Sequence, residues 1–222
     1  MTPLDDFAHR IRPAGGDPQG ALVLLHGRGT SEEDLYPLLD ALDPGRRLIG
    51  VTPRAPLQLP PGGFHWYVTR QVGFPDPDTF HDSRVRLRAW LDAFAAETGV
   101  TPGRTVIGGF SQGAVMAWAL GAGRGAPRPA GILALSGFIP AADDFELDPA
   151  TLAALPVAIA HGSWDPVISA GFGRAARDRA QAAGAQVTYL ETEAPHTVDP
   201  RVLGDLADWL GVVAHGPRLR DV

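Results

Sequence analysis

The chain has 222 residues, 45% of them hydrophobic, with a formal net charge of −6 and no cysteine. That length supports a core without disulfides or a structural metal. The acidic balance leaves no basic footprint for nucleic acid. The missing cysteine excludes disulfides, thiolate nucleophiles, iron–sulfur clusters and zinc ribbons. All 19 basic residues are arginine, so a Schiff-base lysine, a pyridoxal linkage and a P-loop are excluded too. No apolar run approaches the roughly 18–20 residues of a membrane span. Met1-Thr2-Pro3-Leu4-Asp5-Asp6 lacks the basic and apolar regions of a signal peptide. The expectation is a cytoplasmic protein with no stable membrane insertion.

Phe7, His9 and Ile11 alternate with Ala8 and Arg10, predicting an N-terminal strand at an antiparallel edge. Short runs that are apolar on both faces follow: Ala21–Leu25, Leu48–Val51, Thr105–Gly108, Ile132–Leu135, Val157–Ala160 and Gln186–Leu190. Each ends in a glycine, proline or polar break, the pattern of parallel strands buried between helix layers. Between them, helices are predicted over Glu32–Leu42, Ala114–Leu120, Phe172–Ala183 and Val202–Val213. A further helix carries Leu87, Trp90, Leu91 and Phe94 on one stripe and stops at Gly99. The alternation predicts one α/β domain over residues 1–222, a mostly parallel sheet with helices on both faces, and a mobile tail over 216–222. Two long connections interrupt it, the proline- and aromatic-rich stretch from Pro53 to Asp78 and the stretch from Phe138 to Pro156. Loops of that length are usually functional.

The sharpest chemical signal is Gly109-Phe110-Ser111-Gln112-Gly113, which follows a predicted strand and opens a predicted helix. A serine on so tight a turn needs glycine two residues to either side. Its hydroxyl then projects above the sheet, beside the positive end of a helix. Asp165, past the strand ending at Ala160, and His196, past the last strand, supply an orienter and a base in the order Ser, Asp, His. The rival reading is a glycine turn with an incidental serine, a turn aspartate and a surface histidine. Three positions in register after three strands favour catalysis. The loop His26-Gly27-Arg28-Gly29-Thr30 after the first central strand is placed to complete an oxyanion hole, with the N–H groups of Arg28 and Gln112 as donors. It is no dinucleotide loop, because Glu32 occupies the third glycine position, and Gly121, Gly123 and Gly125 follow a helix rather than a strand. A metal held by His161, Asp165 and His196 lacks any established ligand spacing. No cofactor or metal is expected.

With these residues in view, the sequence resembles the phospholipase/carboxylesterase family of α/β-hydrolases, which includes acyl-protein thioesterases. The resemblance runs from about residue 20 to 211. It rests on Leu25-His26-Gly27-Arg28-Gly29, Arg54-Ala55-Pro56, Phe64-His65-Trp66-Tyr67, Gly108-Gly109-Phe110-Ser111-Gln112-Gly113 and Leu135-Ser136-Gly137-Phe138-Ile139-Pro140. His161-Gly162, Asp165-Pro166-Val167 and His196 ahead of Asp208-Trp209-Leu210 complete it. It implies the α/β-hydrolase fold, Ser111 as nucleophile, Asp165 as acid, His196 as base and Arg28 and Gln112 as oxyanion donors. It also implies an ester or thioester substrate, no cofactor, and a possible homodimer. Pro195 stands where the family usually has glycine, and Ser169 where it often has proline.

Phe64, Trp66, Phe74, Phe138, Ile139 and Trp164 are the expected walls of an apolar acyl or alcohol pocket, with a core role as the alternative for each. The leading reading is a serine hydrolase of small to medium apolar acyl esters or thioesters. Its rivals are a non-catalytic small-ligand-binding protein on the same fold and an amidase.

Overall fold

The computed structural model describes residues 3–215; the predicted tail at 216–222 lies outside them. A 3₁₀ turn over Pro3–Asp6 precedes β1 (His9–Arg12), β2 (Gly20–Leu25), α1 (Tyr36–Leu42) and β3 (Leu48–Pro53). Two short hairpins follow, β4 (Leu57–Gln58) with β5 (Phe64–His65) and β6 (Thr69–Gln71) with β7 (Phe74–Pro75). Then come α2 (Pro77–Thr98), β8 (Thr105–Phe110), α3 (Gln112–Ala122) and β9 (Gly131–Leu135). The order closes with α4 (Pro149–Leu152), β10 (Pro156–Gly162), α5 (Ala170–Ala182), β11 (Gln186–Thr192) and α6 (Leu203–His215).

Seven strands form one sheet in the order β1-β3-β2-β8-β9-β10-β11. Every pairing is parallel except β1 with β3, so the N-terminal strand is the antiparallel edge expected of it. Alternate strand residues face opposite layers. Val23, Leu25, Ile107, Ala134, Val157 and Ile159 share a core with α2, α3 and α5. Leu22, Leu24, Val106, Leu133, Ala158 and Ala160 pack with α1 and α6. The chain leaves β2 toward β3 on one side and returns at β8 to build outward on the other. The C-terminal ends of β2 and β8 therefore flank the crevice where such sheets take ligands.

Three elements depart from the sequence pattern. α2 begins inside the proline-rich connection, at Pro77, because the Asp76 carboxylate accepts the Thr79 N–H at 3.1 Å and caps it. It ends as expected at Gly99, where φ is +70°. α1 begins at Tyr36 rather than Glu32, because Pro37 fits the first turn and the acidic side chains before it are used elsewhere. The second long connection contains the one-turn helix α4.

Candidate active site

β8 ends at Phe110 and α3 starts at Gln112, leaving Ser111 alone between them at φ 55° and ψ −118°. A non-glycine residue there costs about 1–3 kcal/mol and persists only where its surroundings fix it. The Ser111 N–H donates to the Leu135 carbonyl at 2.8 Å. A Cβ on Gly109 would strike the carbonyl of Gly113, and one on Gly113 would strike the carbonyl of Leu25. Both glycines are thus demanded by close backbone approach on either side of the serine.

The exits of β10 and β11 meet at the same edge. A Cβ on Gly162 would collide with the Ala194 carbonyl, and the N–H groups of Ser163 and Trp164 donate to Thr192 and Ala194 at 2.7 and 3.1 Å. This contact brings His196 over Asp165. The His196 Nδ1 lies 2.6 Å from Asp165 Oδ2, and its Nε2 lies 2.9 Å from Ser111 Oγ. With Nδ1 donating to a carboxylate, Nε2 is left to accept the serine proton. The other Asp165 oxygen accepts the N–H groups of Val167 and Ile168, each at 2.8 Å. The Asp165 side chain is fully buried, and the His196 ring rests against Phe110 with centroids 4.8 Å apart. His161 is also buried; its Nε2 donates to the Ile168 carbonyl at 2.8 Å and lies 3.6 Å from Asp165 Oδ2.

The loop after β2 is braced from three directions. Gly29 N–H donates to the Phe64 carbonyl and Phe64 N–H to the Thr30 carbonyl, both at 2.8 Å. The buried His26 ring accepts the Ala55 N–H at Nε2, 2.9 Å away, and donates from Nδ1 to the Gly27 carbonyl at 2.7 Å. Burial pushes the His26 pKa down and keeps the ring neutral. Arg54 clasps the buried Glu32 through two hydrogen bonds and holds that carboxyl below its usual range. The Arg28 N–H donates to no backbone acceptor among the described residues. Gln112, as the first residue of α3, has no intrahelical acceptor for its own N–H.

Residues 8–214 match the model of the family described as Phospholipase/Carboxylesterase. The chain belongs to that family. It is a carboxylic ester hydrolase of the α/β-hydrolase fold. It is 30% identical over 179 residues to acyl-protein thioesterase 1 of Yarrowia lipolytica, covering 75% of this chain and 78% of that one. Among solved structures it is similar to esterase PE8, at 25% identity and a TM-score of 0.77, covering 93% of this chain and 98% of that one. The carboxylesterase of Bacillus cereus shares its fold with a TM-score of 0.82 at 23% identity, covering 93% and 94% of the two chains.

Within this carboxylesterase-family site, the expected pocket walls are dispersed. Trp66 requires a correction: it is wholly buried between the rings of Phe7 and His26, with centroids 6.2 and 5.2 Å away, and its Nε1–H donates to the His26 carbonyl at 2.8 Å. It supports the loop after β2 from below. The Phe64 ring lies 4.6 Å beneath the Arg54 guanidinium. Phe138 and Ile139 are buried, Phe138 against Phe172 at 5.4 Å, whereas Phe74 and Trp164 are exposed. None of the six lines the cleft that touches His196, a space of about 330 Å³ walled by Leu35, Pro37, Leu38, Phe110 and Val198. Phe110 and Val198 are one and two residues from Ser111 and His196, a proximity that signals them in the sequence; Leu35 and Leu38 carry no such signal. The Gln112 side chain has its own task. Its Oε1 accepts the Trp66 N–H at 2.9 Å and its Nε2 donates to the Tyr67 carbonyl at 2.7 Å.

Proposed function

We propose that the protein hydrolyses carboxylic esters or thioesters of small to medium apolar acyl groups through Ser111, His196 and Asp165. The observation that carries this reading is the unbroken hydrogen-bonded line from Ser111 Oγ through His196 to Asp165, at 2.9 and 2.6 Å. Ser111 Oγ attacks the substrate carbonyl as its proton passes to His196 Nε2. The developing oxyanion accepts hydrogen bonds from the Arg28 and Gln112 N–H groups. The tetrahedral intermediate collapses, and the departing alcohol or thiol takes the proton back from Nε2. Water then attacks the acyl-serine with His196 again as base, releasing the carboxylic acid and restoring the serine hydroxyl. Asp165 holds the imidazole tautomer and stabilises its charged form. The chemistry needs no cofactor.

Similarity to an acyl-protein thioesterase and to an esterase supports thioester and ester bonds respectively. A cytoplasmic location and a homodimer belong to the same reading. The test is hydrolysis of p-nitrophenyl esters from acetate to palmitate by wild type and Ser111→Ala, with fluorophosphonate labelling alongside. Ester turnover and labelling that both vanish in the variant are the expected result. An unlabelled wild type, inert on every ester, would leave a binding protein on a hydrolase fold.

A further inference from the structure

We propose that the cleft beside His196 receives the leaving group of the substrate, and that Asp34 at its rim favours cationic over neutral leaving groups and disfavours anionic ones. The proposal rests on the hydrolase reading above and adds what stands on the far side of the scissile bond. In that reaction the leaving oxygen or sulfur must take a proton from His196 Nε2, so the group it carries must lie against the imidazole. The cleft of about 330 Å³ is lined by His196 itself and by neither Arg28 nor Gln112, the donors assigned to the oxyanion. It therefore opens on the general-acid side of the serine.

Its walls define the chemistry. Leu35, Leu38 and Val198 are apolar, and the Phe110 ring is fixed against His196. Such a surface takes an alkyl or aryl alcohol, or the corresponding thiol. Among the described residues Asp34 is the one carboxylate in the lining, and no arginine joins it there. Its Oδ2 accepts the Thr30 hydroxyl at 3.1 Å, which fixes the charge at the rim. The neighbouring Glu33 is engaged by Arg10 at 2.6 Å. A cationic leaving group gains from Asp34, while a carboxylate or phosphate on the leaving group meets like charge.

The leaving-group series uses butyrate esters, so that each member gives the same acyl-enzyme, and a separate series of methyl esters varies the acyl length, with acid release followed by titration at constant pH. For Leu38→Trp, which fills the cleft, kcat/KM for benzyl butyrate falls about tenfold relative to methyl butyrate. The acyl-length preference among methyl esters stays as in wild type. Leu38→Ala, which folds without added bulk, lowers the same ratio by a smaller factor. Butyrylcholine and its uncharged isostere 3,3-dimethylbutyl butyrate read the charge: wild type prefers the cation about two- to fivefold, and Asp34→Asn or high salt removes the preference. A changed acyl-length preference with an unchanged benzyl-to-methyl ratio would assign the cleft to the acyl chain and overturn the proposal. So would Leu38 variants indifferent to both, or a cation preference that is absent or survives Asp34→Asn. In each of those cases wild type remains active and labelled by fluorophosphonate; failure of the hydrolase reading instead leaves it inert and unlabelled.

Discussion

The two ends of the central sheet carry clefts of opposite character. At the N-terminal ends of β9, β10 and β11 lies a space of about 1060 Å³, lined among others by Arg128, Pro156, Val187, Trp209 and Val212. At the C-terminal ends lies a cleft about a third that size, touching His196. Among the described residues no histidine lines the larger space, and its carboxylates are Asp205 and Asp208. The smaller one abuts a strained serine, an imidazole and a buried carboxylate in hydrogen-bonded sequence. Size alone would choose the other end. The parallel sheet explains the asymmetry: strand exits and the N-terminus of α3 gather at one edge, and polar groups can converge only there.

The comparison breaks most directly at Ser111. Ser111→Ala should lower kcat for ester hydrolysis by a factor on the order of 10⁶. Its unfolding midpoint should stay near that of wild type, since the change removes one hydroxyl. Appreciable turnover in the variant would move the chemistry away from this edge. The next largest effect tests the turn that presents the serine. Gly113→Ala would drive a Cβ into the Leu25 carbonyl, so urea unfolding should show a loss of about 3 kcal/mol or more, with activity lost in parallel.

Gln112 separates the two functions of one residue. Gln112→Ala keeps the backbone N–H assigned to the oxyanion but orphans the buried Trp66 N–H and leaves the Tyr67 carbonyl only its bond from His65 Nδ1, 3.0 Å away. Stability should fall by about 1–3 kcal/mol. The drop in kcat/KM should be about tenfold, less than the hundred- to thousandfold expected on losing an oxyanion donor. A thousandfold drop in a variant that remains fully folded would show the side chain itself acting on substrate.

How far these sites could be read from sequence depends on how local their causes are. The elbow was legible because steric demands within Gly109–Gly113 are nearly self-contained, and the strands because burial on both faces leaves uninterrupted apolar runs. Trp66 was misjudged because its neighbours, Phe7 and His26, are far away in the chain. The start of α1 was misjudged for the same reason: Glu32 is claimed by Arg54, 22 residues away. The buried pair of Arg12 and Asp43, 2.6 Å apart, joins β1 to the end of α1 and has no local signature at all. The wall of the His196 cleft that α1 supplies was hidden likewise, since only tertiary packing brings Leu35 and Leu38 there.

His26 offers a pH test of the brace under the site. Burial lowers its pKa from 6.5, so between that folded value and about 6.5 the unfolded chain binds more protons than the native one. Stability is therefore retained above pH 6.5 and lost as pH falls through this window. The carboxylates held low, Glu32 by Arg54 and Glu191, lowered to about 2 by Arg174 and Tyr189, lose their contributions only below about pH 4.5. In denaturation measured from pH 7.5 to 5, His26→Gln should be less stable throughout but show a shallower slope than wild type. Identical slopes would mean that His26 titrates alike in both states.

The smallest expected effect lies at the far end of the sheet. Val212 is largely exposed, at 72%, on the lining of the larger space, so Val212→Arg introduces charge and bulk there at little cost in stability. Because no histidine lines that space among the described residues, kcat/KM for p-nitrophenyl esters should remain within about twofold of wild type. A larger change, with an unaltered unfolding midpoint, would couple the two ends and deny that the polar edge acts alone. An unchanged rate, set beside the collapse in Ser111→Ala, would locate the function by convergence of groups rather than by volume.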